Sequence, residues 1–145
     1  MSGEAIVAVR RYADRRGALS VIESGIDIDF PIVRVYWLTG LDPARPRGFH
    51  AHRALRQLAV CLAGSCRMVL EYCDGRRREI AMAASGDAVL IGPMVWREMH
   101  EFSQDCVLMD LSLSPHRPFS IRRNRASNRS PHGPCRPAPS ARNLG

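Results

Sequence analysis

Two histidines separated by one residue, in a segment with the composition of a β-strand, most constrain what this chain can fold into. The segment spans residues 47–52 and reads RGFHAH. Side chains alternate between the two faces of a strand, so His50 and His52 point to the same side. Two imidazoles on one side of a sheet can bind a metal ion or transfer protons. The segment therefore predicts a strand that carries a functional site.

Short strands separated by tight turns account for most of the chain between residues 5 and 114. Asp74-Gly75 is a strong hairpin signal, and no long stretch repeats its apolar residues with the period of a helix. Many short strands with regularly spaced turns predict an all-β sandwich or barrel, here a jelly-roll. Besides the histidine strand at 47–52, we expect strands at residues 5–9, 19–22, 32–38, 57–63, 66–72, 78–83, 88–91, 95–102 and 106–113.

The charge of the chain is concentrated at its C-terminal end. The 145 residues have a net charge of +7, and residues 1–114 contain 14 arginines and 14 acids. Residues 115–145 contain seven arginines, six prolines and no acid. We therefore predict one folded domain, residues 1–114, and a basic tail, residues 115–145, with too little apolar content to become ordered. Because the folded part is neutral, we expect no specific nucleic-acid binding.

Other features are typical of a soluble cytoplasmic protein. The sequence has no run of 18 apolar residues and no N-terminal signal pattern, so we expect neither a membrane span nor secretion. Its five cysteines are odd in number and form no Cys-x-x-Cys pair. This pattern indicates reduced thiols rather than a disulfide framework or a zinc site. We expect the cysteines to pack as small buried hydrophobic residues.

The residues that follow the histidine pair resemble the first sequence motif of the cupin barrels, which are double-stranded β-helices. In metal-binding cupins the position of Gln57 is usually a glutamate ligand, and a second motif supplies a histidine where this chain has Arg97. Two imidazoles beside a guanidinium make a poor site for a divalent cation, so we predict no metal. His100 lies three residues beyond Arg97 and could approach the histidine pair from a neighbouring strand, so a metal-dependent cupin enzyme remains an alternative.

Without a metal, paired histidines at the mouth of a barrel suit general acid–base catalysis, because imidazole titrates near neutral pH. Suitable substrates carry an acidic C–H beside a carbonyl. Nearby arginines could hold a diphosphate or be solvated surface charges, and nearby aromatic rings could stack on a base or fill the core. These candidates are Arg16, Arg34, Arg47 and Arg53, with Tyr36, Trp37 and Trp96.

Several motifs in order, over about residues 10–112, closely resemble the dTDP-sugar 3,4-ketoisomerase family. They lie at residues 14–19, 22–23, 30–36, 47–53, 57–65, 92–99 and 102–103. The resemblance implies a cupin jelly-roll, usually a homodimer that exchanges N-terminal strands, with no metal or redox cofactor. It also implies an intramolecular oxidoreductase-type isomerase. The substrate would be dTDP-4-oxo-6-deoxyglucose, whose keto group moves from C4 to C3 through an enediol, toward deoxysugars of surface polysaccharides or antibiotics.

Carried over by position, His50 and His52 match the family's histidine pair, with one histidine at C3 and the other at C4. Arg97 stands where close relatives often have histidine, and the C-terminal segment lacks the tyrosine- and acid-rich ending of relatives. This altered ending leaves a non-catalytic nucleotide-sugar-binding or regulatory cupin as the alternative function. The substrate-binding residues that we predict are Arg16, Arg34, Tyr36, Arg47, Arg53, Gln57 and Trp96.

Overall fold

The computed structural model describes residues 6–113 and 120–122, which form β-strands joined by turns and loops. Every pairing between these strands is antiparallel. No helix in the described residues is long and apolar enough to span a membrane. The strands are β1 (Ile6–Val7), β2 (Arg10–Asp14), β3 (Gly17–Val21), β4 (Arg34–Leu38), β5 (Arg47–His52), β6 (Gln57–Ala63), β7 (Ser65–Glu71), β8 (Arg77–Ala83), β9 (Ala88–Ile91), β10 (Trp96–His100), β11 (Val107–Ser112) and β12 (Ser120–Arg122).

Two five-stranded sheets enclose the core of the molecule. One has the strand order β1-β9-β6-β11-β4 and the other has the order β12-β5-β10-β7-β8. Most neighbouring strands in each sheet come from distant parts of the chain, as in a jelly-roll. The prediction of an all-β cupin jelly-roll is confirmed.

The space between the sheets is apolar toward one end and polar toward the other. The inward positions of β6 are Gln57, Ala59 and Cys61, which pair with Ser112, Asp110 and Leu108 of β11. Toward Cys61 the core contains Met68, Leu70, Met99 and Phe102. Toward Gln57, buried polar side chains replace these apolar groups, so the interior itself contains a candidate site.

The other face of the first sheet forms a second apolar cluster. Leu58 and Val60 of β6 point away from the interior and pack with Ile28 and Phe30, from the segment before β4. Because this segment covers the sheet, β6 is buried on both faces and its sequence is almost continuously apolar.

Three of the five cysteines lie in the inner core. Cys61, Cys66 and Cys106 are free and buried, as expected. Burial raises the pKa of Cys61 to about 11 and that of Cys66 to about 12, so both thiols stay protonated at neutral pH. Cys73 lies outside this core and is half-buried, with its Sγ 3.7 Å from the Met94 carbonyl oxygen.

The N-terminal hairpin β2–β3 forms a two-stranded sheet of its own. Its turn lies at residues 14–17, where the Asp14 carboxylate accepts a hydrogen bond from the Arg16 amide at 2.8 Å. Strand β2 was not predicted, because its charged residues conceal the strand pattern. Arg10 fixes the base of the hairpin through two hydrogen bonds to the Asp27 carboxylate, at 2.8 and 2.7 Å.

Strand β12 corrects part of the tail prediction. Residues 120–122 lie within the segment expected to be disordered, yet their backbone pairs with β5 at the positions of His52, Ala51 and His50. The pairing satisfies an edge of β5 that would otherwise be open. The predictions for residues 115–119 and 123–145 lie outside the described residues.

A truncation series tests the role of β12. Deleting residues 114–145 removes β12, so we expect faster amide exchange in β5 and a melting temperature lower by about 2–4 °C for each kcal/mol lost. Deleting residues 124–145 keeps β12 and should leave both quantities unchanged. Hydrogen exchange and calorimetry of the two variants provide the comparison, and equal behaviour would contradict a structural role for β12.

Candidate active site

The histidine strand β5 contains a β-bulge at the point where it presents its imidazoles. Opposite β10, His50 pairs with Arg97 and Gly48 pairs with Glu98, which leaves Phe49 as an extra residue. Gly48 has φ +94° and Phe49 has φ +56°. The bulge turns the Gly48 carbonyl toward the His50 ring, whose Nδ1 lies 2.8 Å from it.

Glycine is required at position 48 for two reasons. Its positive φ disfavours any residue with a Cβ. A Cβ there would also lie 2.8 Å from the Arg97 carbonyl oxygen and 3.3 Å from the Glu98 Cα, both of which are backbone atoms. The Arg-Gly that precedes the histidines in the sequence is therefore part of the site, since it forms the bulge.

The Arg97 guanidinium lies between the two imidazoles. One of its nitrogens, Nη2, is 2.8 Å from Nε2 of His50 and 2.8 Å from Nε2 of His52. The two rings are 4.9 Å apart and nearly perpendicular, at 78°. Arg97 is only 5% exposed, and this desolvation lowers its pKa.

These distances fix the protonation state of both rings. A guanidinium NH₂ group donates two hydrogens and accepts none, so each Nε2 must be an acceptor. Each ring is then neutral and carries its proton on Nδ1. In His50 that proton is donated to the Gly48 carbonyl.

Tyr36 and Gln57 join the same interior site from the opposite sheet. The Gln57 Nε2 donates a hydrogen bond to the Tyr36 hydroxyl at 2.9 Å. The Gln57 Oε1 is buried and has no hydrogen-bond partner within the described part of the chain. Burial raises the pKa of Tyr36 to about 12, so this hydroxyl remains protonated at neutral pH and can donate.

Asp110 is a buried carboxylate that the sequence analysis did not select. It lies on β11 beside Tyr36 in register and is 5% exposed. Burial raises its pKa to about 6, against the opposing effects of Arg97, Tyr36 and Arg34. A signal was present in the sequence, because an acid in the middle of an otherwise apolar strand is unusual in a core.

The predicted arginines take different places. Arg34 is half-buried and its guanidinium lies 4.7 Å from the Tyr36 ring centre, so it belongs to the interior site. Arg47 and Arg53 are exposed at the two ends of the histidine strand. Arg16 lies at the tip of the β2–β3 hairpin, where it bonds to Asp14. The hairpin has no strand pairing with either large sheet.

Trp96 and His100 lie on the opposite face of β10 from Arg97. The Trp96 indole donates to Glu98 at 2.8 Å, and His100 contacts the same carboxylate at 2.9 Å. Trp96 is 2% exposed, which favours the core interpretation of this residue over base stacking. His100 therefore does not complete a ligand set with the histidine pair.

The donor groups do not fit a metal ion at the histidine pair. The point where the two imidazole nitrogens converge is occupied by a hydrogen-bond donor that carries a positive charge. Gln57 offers a neutral amide in place of a carboxylate ligand. These side chains are therefore a poor set of ligands for a divalent cation.

A jelly-roll whose polar interior contains a half-buried pair of histidines has the architecture of the cupins. Comparison with known proteins gives the family. A family model described as "FdtA: WxcM-like, C-terminal" matches residues 2–125. The chain belongs to this family, which confirms the resemblance found in the sequence.

Individual relatives agree with the family match. The chain is 44% identical over 108 residues to the TDP-4-oxo-6-deoxy-alpha-D-glucose-3,4-oxoisomerase of Aneurinibacillus thermoaerophilus, covering 74% of this chain and 76% of that protein. A sugar 3,4-ketoisomerase from Thermoanaerobacterium thermosaccharolyticum, solved with TDP, has 38% identity and a TM-score of 0.77, covering 82% and 87% of the two chains. The TDP-quinovose 3,4-ketoisomerase of Campylobacter jejuni has 33% identity and a TM-score of 0.77, covering 81% of this chain and 91% of that chain.

Substitution of Gly48 tests the bulge. In Gly48→Ala, the new Cβ adds a backbone clash to the left-handed strain of about 1–2 kcal/mol. Gly75→Ala is a matched control, because Gly75 has φ +85° but nothing within 4 Å of the added Cβ. Urea denaturation should show a clearly larger loss of unfolding free energy for Gly48→Ala. Equal losses would mean that the contact with β10 does not constrain position 48.

Proposed function

We propose that this chain is a dTDP-4-oxo-6-deoxyglucose 3,4-ketoisomerase that uses His50 and His52 as its acid–base pair. The observation that carries the proposal is the half-buried pair of imidazoles, whose Nε2 atoms both accept hydrogen bonds from the buried Arg97 guanidinium. A structure of a histidine variant of the Thermoanaerobacterium enzyme contains TDP-4-keto-6-deoxyglucose; it is 37% identical, with a TM-score of 0.78. The product would enter deoxysugar biosynthesis in the cytoplasm, for surface polysaccharides or antibiotics.

The proposed reaction moves one proton from C3 to C4 and one from O3 to O4, and it balances without an external oxidant. One histidine removes the proton from C3, which is acidic because C4 is a carbonyl, and the electron pair forms the C3=C4 bond of an enediol. The other histidine takes the O3 proton and delivers it to the C4 oxygen. Return of the first proton to C4 then yields the 3-oxo sugar, with C3 oxidised and C4 reduced. Imidazole suits both directions of transfer at neutral pH.

Arg97 has a second role in this proposal. Its hydrogens occupy the Nε2 lone pairs that a base needs, so one of its two hydrogen bonds must open when the substrate enters. The guanidinium hydrogen that is released can then bond to the oxygen on which negative charge develops. Such a preorganised cation in a buried site stabilises an enediolate.

The remaining polar groups suit a nucleotide-sugar. The Gln57 Oε1 needs a donor, which a sugar hydroxyl can provide. The Tyr36 hydroxyl accepts from the Gln57 amide and so fixes the position of the neighbouring Oε1. Arg34 on β4, together with Arg47 and Arg53 at the two ends of the histidine strand, provides positive charge for the diphosphate.

Histidine substitution tests the assignment. We expect His50→Asn and His52→Asn each to lower kcat by about 10² or more, the usual scale for loss of a general acid or base. The matched control is His100→Asn, which changes a histidine on the other face of β10 and should keep wild-type turnover. NMR of dTDP-4-oxo-6-deoxyglucose in deuterated water would follow the 3-oxo product and deuterium incorporation.

Two results of this assay would reject the proposal. Product formation unaffected by either substitution would place the chemistry elsewhere. Binding of the nucleotide-sugar with neither turnover nor deuterium exchange in the wild-type protein would support the alternative, a non-catalytic binding or regulatory cupin. The altered C-terminal segment is the feature that favours this alternative.

We also propose that the protein is a homodimer in which the β2–β3 hairpin binds the partner. Tyr12 and Leu19 on the hairpin are 58% and 62% exposed. Val35 and Trp37 on edge strand β4 are 47% and 63% exposed. Exposed apolar surfaces of this kind mark interfaces, and exchange of the hairpins would carry Arg16 to the site of the partner.

Sedimentation and complementation test the dimer. Leu19→Asp should give monomers, whereas Ala81→Asp, on an exposed position of β8 in the other sheet, should not. Arg16→Ala and His50→Asn should each be weakly active alone. Their mixture after subunit exchange should recover up to about a quarter of wild-type activity, since half of the dimers would contain one intact site. A monomeric wild-type protein, or a mixture that recovers nothing, would contradict the proposal.

A further inference from the structure

We propose that Asp110 is a positioning residue for the reaction, whose carboxylate holds the Arg97 guanidinium between His50 and His52. The inference depends on the proposed function only for its catalytic consequence, since the charge pairing itself can be measured without substrate. None of the proton-transfer steps above uses Asp110, so its burial in the site needs another explanation.

The placement of Asp110 indicates a role in the interior rather than at the surface. It lies inside β11, between Tyr36 on β4 and Ala59 on β6, and it is 5% exposed. Burying a carboxylate is costly unless a positive charge or hydrogen bonds compensate. The groups that face it are Tyr36 and Arg34 from β4 and Arg97 from β10, with the two imidazoles of β5 beyond Arg97.

The buried positive charge of Arg97 also requires a compensating negative charge. In the described part of the chain, the hydrogen bonds of Arg97 go to two neutral imidazoles, which cannot balance its charge. Among the described residues, Arg97 and Asp110 are the two charged side chains that are buried, each 5% exposed, and they lie on facing sheets. No direct ion pair joins them in the described part of the chain, so the coupling acts through the low dielectric of the interior.

Substitution of Asp110 alone should therefore destabilise the protein more than substitution of both Asp110 and Arg97. Without Asp110, Arg97 becomes an uncompensated buried cation and is driven toward solvent, away from the imidazoles. Replacing Arg97 as well removes that cation, so the second substitution should relieve part of the damage. A residue that only fills space would show no such relief.

A double-mutant cycle with Asp110→Asn and Arg97→Gln tests this coupling. Asparagine keeps the shape of Asp110 and can still accept from Tyr36. We expect Asp110→Asn to lower kcat by about tenfold or more and to lower the melting temperature. The double variant should melt above Asp110→Asn, and its kcat should be within about twofold of Arg97→Gln alone. Asp87→Asn, an exposed carboxylate before β9, should match the wild type in both measurements.

The outcomes separate the possible failures. One outcome is that the two substitutions lower the melting temperature and kcat independently, so that the double variant has the lowest values of the three variants. In that case the positioning role is wrong. If Asp110→Asn fails to fold, the double variant should still fold, and failure of both overturns the proposal. If the melting temperatures show the expected relief but the wild type has no isomerase activity, the charge pairing stands and the proposed function falls.

Discussion

The arrangement of the site depends on one buried cation, the Arg97 guanidinium, which donates to both imidazoles from a single nitrogen. This interaction explains the separate parts around it. The bulge at Gly48 lets β5 approach β10 closely and supplies a carbonyl acceptor for the His50 Nδ1 proton. Asp110, the other buried charged side chain of the described residues, lies on the facing sheet.

A small core has to provide both stability and a polar site, and the barrel places these two at opposite ends of its interior. Apolar side chains near Cys61, Met68 and Leu108 provide stability through burial. At the other end, buried polar groups contribute less to stability. The hydrogen bonds and charge interactions among them offset the cost of burying them. The Gln57 Oε1 is the incomplete part of this network, and an unsatisfied buried acceptor is what a site for a hydroxylated ligand should contain.

Sequence reasoning predicted the parts of the molecule that depend on local pattern. The histidine strand at 47–52, β6 at 57–63 and β9 at 88–91 have the expected bounds, because alternation and turn residues define them. The absence of ligand residues at Gln57 and Arg97 was also readable. The position of Arg97 between the two histidines could not be predicted, because only the pairing of β5 with β10 in three dimensions shows it.

The failures have physical causes. β12 depends on an open edge of β5, which no local pattern in a basic segment reveals. Trp96 was grouped with substrate-binding residues because of its aromatic ring, and this assignment stays a prediction; its ring lies on the other face of β10 from Arg97. Asp110 was passed over because one acid within a predicted strand does not reveal the positive charges of Arg34 and Arg97, which come from two other strands.

The central claim is that Arg97 keeps both histidines neutral, with the proton on Nδ1 and the lone pair on Nε2. Nitrogen-15 NMR of histidine-labelled protein at neutral pH measures this directly, since protonated and unprotonated ring nitrogens have well separated shifts. The account predicts an unprotonated Nε2 and a protonated Nδ1 for both His50 and His52. A charged ring, or a proton on Nε2 of either histidine, would contradict it.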